Sequence, residues 1–385
     1  MPSEILHIMK NTPLSSEQML PDPQLQALRA LVADMRPPPA EEQPLAPLVA
    51  SQGKVIIYDH RGLGRFSVLP AEHQGRDNNR RKAVIDRLVE RGPERSLGAW
   101  PTEAMLEAFE ALKRSHPNFV EITDHVISEA VFAMEQGRAI CSMRLLIDGP
   151  AGIGKTDYAM VLGRALELPL RVCSMSASNS SFEISGLDEG YSGSRPGMVF
   201  DEVTEGPFAN PAFLLDEIDK VPERHREVVG ALYQLFETHS ARNFRDKSVP
   251  FLEFDASHIN WLVTANEVDA IEPALLSRFH RFEIQRPTRA QYPGLIQRLY
   301  QQMAQELGFT ERFPVELNVE DVERLAAFSP REIKRALRTA FLNAVRGKTA
   351  SLIIDSCILS KISNCAESHP IGFIWSADEG ERHDS

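Results

Sequence analysis

The segment GPAGIGKT, residues 149–156, has the residue types and spacing of a phosphate-binding loop. Gly149, Gly152 and Gly154 let the backbone curl so that successive N–H groups face inward. Pro150, Ala151 and Ile153 complete the loop. A helix opening at Lys155 adds free N–H groups and the positive end of its dipole, both of which favour an anion. The Lys155 ammonium can reach β- and γ-phosphates, and the Thr156 hydroxyl can ligate Mg²⁺.

A second constellation lies 61 residues beyond Lys155, counted to Asp216. In FLLDEID (213–219), with Ala212 before it, four apolar residues precede two acids. A buried strand there would deliver Asp216 and Glu217 to its carboxyl end, where open α/β sheets bind ligands. Asp216 then suits a Mg²⁺ ligand, Glu217 suits a general base on an attacking water, and Asp219 is expected to be structural. INWLVTANE (259–267) reads as another buried strand that ends in Asn266, whose amide could orient the same water. PALLSRF (273–279) places Arg278 after a short helix. SPREIKRAL (329–337) offers a Ser cap and a first-turn Pro, with Arg331 exposed beside them.

The elements that must position these residues follow from the pattern around them. MRLLID (143–148), PLRVCSM (169–175), FLLDEI (213–218), INWLVTAN (259–266) and RFEIQ (281–285) are short, buried-type strands separated by helical stretches. That predicts a parallel sheet covered on both faces. From Thr288 to about Arg346 the pattern is helical throughout, and SLIIDSCIL (351–359) adds a strand or helix. Upstream, KVIIYDHRGLGRFSVLP (54–70) reads as a hairpin. A helix around 79–91 places Val84, Ile85, Leu88 and Val89 on one face. RPPPAEEQPLAP (36–47) holds five prolines and reads as a linker.

Phosphate loop, D-E strand, Asn-ended strand, L-L-x-R-F and the S-P-R-E helix occur in that order, and together they resemble the AAA+ ATPase family. The similarity covers roughly 120–350. It implies an α/β fold: a P-loop NTPase parallel sheet with helices on both faces, plus a small C-terminal all-α lid domain. It further implies ATP and Mg²⁺ as ligands, Asn266 as sensor 1, Arg278 as a finger reaching a neighbouring subunit's ATP, and Arg331 as sensor 2. Arg281 is the second finger candidate. NPAFLLDEIDK (210–220), VPFLEFDAS (249–257) and the IEPALLSRF segment look most like the ATPase part of Lon-type proteins. GPFANPAFLLDEIDKVPERHREVVGALYQ also resembles MoxR-type ATPases. EGYSGSRPGMV (189–199) is similar to a pore loop, with Tyr191 as the pore residue and Ser192 where an apolar partner is expected.

The implied organisation is an N-terminal arm and Pro-rich linker (1–50), a small region (51–118), the AAA+ domain (119–286), the lid (287–360) and a tail (361–385). About 35 residues follow position 350, with Lys361 the sole Lys among them, so no Ser–Lys peptidase is expected here. The function expected is an ATP-driven homo-oligomeric ring, most simply a hexamer, acting on a protein substrate or partner through the Tyr191 loop or residues 1–100. Two other readings stand beside it. One is a nucleic-acid-stimulated motor or loader that uses the basic 76–95 helix. The other is a nucleotide-gated assembly scaffold.

Composition narrows the classes. The 385 residues carry a net charge of −12, which argues against nonspecific nucleic-acid binding. Four cysteines form no C-x-x-C pair, and the 11 histidines form no H-E-x-x-H, so neither a disulfide framework nor a zinc site is expected. No run of about 18 apolar residues exists to span a membrane, and MPSEILHIMKNTPL lacks the apolar core of a signal peptide. A reduced, cytoplasmic protein is expected.

Overall fold

Short apolar runs alternating with helices after residue 140 build one five-stranded parallel sheet. The structure, a computed structural model, describes residues 53–61, 63, 76–176, 180–188, 191, 193–221, 226–349 and 351–360. All of these belong to the contact unit Val49–Ser385. The arm expected over 1–50 and the tail expected over 361–385 fall outside them.

In chain order the elements are β1 (Lys54–Ile56), α1 (Arg76–Arg91), β2 (Glu94–Ser96), α2 (Glu103–Ser115), α3 (Val120–Glu135), β3 (Arg144–Asp148), α4 (Lys155–Ala165), β4 (Leu170–Ser174), α5 (Ser180–Ser185), β5 (Ala212–Asp216), α6 (Arg226–Leu235), β6 (Asn260–Ala265), β7 (His280–Glu283), α7 (Tyr292–Glu306), α8 (Val319–Leu325) and α9 (Pro330–Arg346). Single helical turns also occur at Met198–Phe200, Thr238–Ala241 and Pro273–Leu276.

The sheet order is β4-β5-β6-β3-β7. β3 therefore lies between β6 and β7, yet the chain leaves it for β4 at the far edge and returns through β5 and β6. Such a reversal opens a crevice outside the carboxyl ends of the strands. β3, β5 and β6 are buried along almost their whole length, so they read as continuous apolar runs. Alternate residues still serve opposite faces. Leu145, Ile147, Leu214 and Leu262 join the core that contains Phe109, Phe119, Ile122 and Leu162 of the helical layer. Leu146, Phe213, Leu215, Trp261 and Val263 join the core on the other side, with Phe200, Leu232 and Phe236.

α2 begins where the Thr102 hydroxyl accepts a hydrogen bond from the Met105 N–H at 3.1 Å. Lys113 and Arg114 complement the dipole at its other end. Met105, Phe109 and Leu112 form its buried stripe. The C-terminal helices α7–α9 enclose a core of their own, including Leu299, Leu325, Ile333, Leu337 and Phe341. A capping box sets the start of α9: Ser329 and Glu332 bond each other's backbone N–H, and Pro330 takes the first turn. Leu352, Ile354 and Ile358 close the same core, with residues 356–360 helical.

One local expectation changes, and another, the hairpin over 54–70, falls partly outside the described residues. β1 pairs antiparallel with β2, Lys54 opposite Ser96, while residues 64–70 lie outside the described residues. The strand partner comes from beyond α1 because the Tyr58 hydroxyl ties the end of that helix back, 2.7 Å from Leu88 O and 2.5 Å from Gly92 O. Val84, Ile85 and Leu88 are buried as expected, but Val89 is 59% exposed. At 3.6 residues per turn it falls just outside the arc that the other three define. No helix among the described residues is long and apolar enough to cross a membrane.

Candidate active site

The loop 149–154 joins the end of β3 to the start of α4. Gly152 and Gly154 take φ values of +81° and +102°, which side chains with a Cβ avoid. A Cβ on Gly152 would lie 3.5 Å from the Arg331 Cβ and 3.6 Å from the Ser329 Oγ, filling the gap between the loop and α9. Loop and C-terminal helices thus wall a cleft of about 300 Å³. Lys155 is buried beneath it. Its Nζ donates to Gly149 O at 2.6 Å, Pro150 O at 2.9 Å and Asn266 Oδ1 at 2.7 Å. Burial pushes the Lys155 pKa down, and the carboxylates of Asp148, Asp219, Asp216 and Glu217 oppose that.

β5 brings Asp216 and Glu217 to the same place. The hydroxyls of Thr156 and Thr264 both donate to Asp216 Oδ1, each at 2.7 Å. The Thr264 Oγ1 also accepts the Glu217 N–H at 2.9 Å. Glu217 sits in the left-handed region, φ +59° and ψ +54°, which costs a non-glycine residue roughly 1–2 kcal/mol. Such strain persists where surrounding bonds hold it, and here they aim the side chain. The Asn266 Nδ2 donates to Glu217 Oε1 at 3.3 Å, and its backbone N–H donates to Asp219 Oδ1 at 3.1 Å. One bonded chain therefore links Thr156, Asp216, Thr264, Glu217, Asn266 and Lys155.

Thr264 escapes a reading of the sequence alone. Its signal is a hydroxyl inside an apolar strand, two residues from Asn266 and so on the same face. Thr264→Val keeps the shape but removes the donor to Asp216 and the acceptor for Glu217. It is expected to cost about 1–3 kcal/mol of stability and to weaken Mg²⁺-dependent nucleotide binding. Chemical denaturation and nucleotide titration check this, and an unchanged midpoint with unchanged affinity would contradict it.

The arginines divide. Arg331 is exposed and lines the cleft. Arg278 is outside the residues that line it. Its Nε lies 3.5 Å from the Glu237 carboxylate, its guanidinium lies 4.8 Å over the Tyr233 ring, and it donates to Ala274 O. Arg281 is bound within its own chain, to Asp148 Oδ2 at 2.6 and 3.1 Å. Asp148 is only 5% exposed, so its carboxylate depends on that partner.

Phe119, Leu295 and Leu299 give the cleft an apolar wall. Beside them, Asp157 on the first turn of α4 is approached by His116 Nε2 at 3.5 Å, Lys334 Nζ at 3.4 Å and Arg298 at 3.6 Å. Those groups, His116 foremost, hold the Asp157 carboxyl well below the usual carboxylate range against its burial. Burial pushes His116 down, which favours the neutral ring. Tyr191 is 63% exposed, whereas Ser192 lies outside the described residues. Asp246 ties down the segment that follows Tyr191: its Oδ2 accepts the Gly197 N–H at 2.8 Å. Burial pushes the Asp246 pKa up to about 6.

The donor set fits the expected ligands. A loop turned at Gly152 and Gly154, the start of α4 and Lys155 suit phosphate oxygens. The Thr156 hydroxyl and the Asp216 carboxylate supply the hard oxygens that Mg²⁺ prefers, and Mg²⁺ commonly takes only one or two protein ligands.

Comparison with known proteins agrees with this geometry. Residues 145–288 match the family model for the ATPase family associated with various cellular activities (AAA). The Lon protease of Mycolicibacterium smegmatis is 30% identical over 189 residues, 47% of this chain and 24% of that protein. The Lon protease of Clostridium acetobutylicum is 29% identical over 178 residues, 46% of this chain and 23% of that protein. The peroxisomal Lon protease homolog 2 of Caenorhabditis elegans is 28% identical over 174 residues, 45% of this chain and 22% of that protein. The chain thus spans less than a quarter of the length of these relatives. Among solved structures, a mutant of Thermotoga maritima RuvB aligns with a TM-score of 0.43 at 15% identity, covering 64% of this chain and 69% of that one.

Proposed function

We propose, from the match of residues 145–288 to the model of the AAA ATPase family and from the site geometry, that the chain hydrolyses ATP in a homo-oligomeric ring, most simply a hexamer, to remodel or translocate a protein substrate or complex. In this reading residues 119–286 bind the nucleotide and 287–360 form the lid. The observation that carries it is the bonded chain from Thr156 through Asp216, Thr264, Glu217 and Asn266 to Lys155.

Residues 149–154 and Lys155 hold the phosphates, and Thr156 and Asp216 hold Mg²⁺. When bound, that ion supplies neutralising charge to the phosphate oxygens. Glu217 takes the proton of the attacking water as general base, with Asn266 fixing the carboxylate and orienting the water. Arg331 reaches the γ-phosphate from the lid. Arg278 reaches the nucleotide of the next subunit and stabilises the charge that develops there. Arg281 does not serve that role in this reading, because it is engaged with Asp148. Tyr191 contacts the substrate.

The test is the ATPase rate with an unfolded protein or with single-stranded DNA added. Stimulation by the unfolded protein is expected. Stimulation by DNA alone would overturn the protein-remodelling part of the proposal.

A further inference from the structure

Among the described residues, every ion pair that crosses from the lid helices to the sheet domain ends on one side chain, Asp157. Asp157 follows Thr156 directly, so it rides on the helix that opens at the phosphate loop. Lys334 reaches it from α9 at 3.4 Å and Arg298 from α7 at 3.6 Å. His116, only 3% exposed at the end of α2, closes the third side at 3.5 Å. Lys334 stands three residues after Arg331, so the two share a helix face, and both line the cleft with Asp157 and Arg298. One carboxylate thus answers two lid cations from two different helices. The partners lie 177 and 141 positions away along the chain, counted from Asp157 to Lys334 and to Arg298. A contact of that kind fixes the angle between two bodies more than it stabilises either one.

We propose that Asp157 is a positioning residue that latches the lid over the nucleotide through Lys334 and Arg298, and so sets how fast nucleotide leaves. The proposal rests on the reading of the cleft as a nucleotide site. With the latch intact, Arg331 is carried by a lid held in one orientation above Gly152, and bound nucleotide is enclosed. Without it, the lid keeps its own core but loses its charged tie to α4, and the cleft opens more often.

The experiment follows the dissociation of a fluorescent N-methylanthraniloyl ADP from the full chain by stopped flow. Asp157→Asn and Lys334→Gln are each expected to speed release roughly tenfold, the rate equivalent of one part-buried ion pair. The double variant should release no faster than Asp157→Asn alone, since that change already removes the Lys334 contact. Lys334→Arg should restore slow release. A role confined to stability would lower the melting midpoint without that non-additivity and without rescue by arginine. If the wild-type chain binds the analogue and Asp157→Asn leaves its release rate unchanged, the latch is refuted while the nucleotide site stands. If the wild-type chain fails to bind the analogue, the nucleotide-site reading itself is refuted.

Discussion

Glu217→Gln is expected to retain ATP affinity and to lose turnover by about 10²–10⁴-fold, the usual worth of a positioned general base. The amide keeps the size of the side chain and can still bond to Asn266, so the unusual backbone of Glu217 is preserved. Lys155 and Thr156, proposed to hold phosphate and Mg²⁺, lie on another element and are not disturbed. Nucleotide should therefore accumulate unhydrolysed and hold the assembly in its ATP-bound state. Filter-bound radiolabelled ATP measured beside phosphate release reads both quantities on one sample. Brisk hydrolysis by the variant would remove Glu217 from the role of base.

Arg278→Ala is expected to lower hydrolysis by about 10³–10⁵-fold, the range found for arginines that stabilise charge in phosphoryl transfer, with little change in nucleotide affinity. The second part follows because Arg278 is outside its own cleft. Its loss falls on the neighbouring site. Mixing Arg278→Ala subunits with Lys155→Ala subunits should accordingly recover activity at junctions where an intact phosphate loop meets an intact finger. No recovery in mixed assemblies would end the case for action between subunits. Arg281→Ala makes the contrast. It strands the buried Asp148 carboxylate and should cost about 1–3 kcal/mol of stability, discounted because the Arg281 side chain is partly exposed. It is not expected to mimic the hydrolysis defect of Arg278→Ala.

What could be read from the chain beforehand divides by the kind of information each feature needs. The phosphate loop is written in eight consecutive residues whose backbone needs are local, so GPAGIGKT announces itself. Asp216 and Glu217 are legible because a fully buried strand must be apolar until it reaches the crevice, and acids mark where it does. The cap of α9 is legible for the same reason, since Ser329, Pro330 and Glu332 act on their own helix end. Thr264 is hidden because threonine is also an ordinary strand former. Its second job depends on which strand lies beside β6, and that is a property of sheet order. The Arg281–Asp148 pair needs β7 beside β3, a neighbour relation between residues 133 positions apart. Asp157 looks like any acid on a first helical turn. Its partners on the lid appear only once α7 and α9 fold back over the loop. The pairing of β1 with β2 is hidden for a related reason, because it needs the helix between them to close the gap.

The most direct measurement is a calorimetric titration of Mg²⁺-ATP into the folded full chain carrying Glu217→Gln, so that hydrolysis does not mask binding. Saturable heat at a single site per chain is predicted, abolished when Lys155→Ala is added. Folded protein that gives no heat with this nucleotide, or binds it equally well without Lys155, would contradict the assignment of the cleft between residues 149–156 and α9.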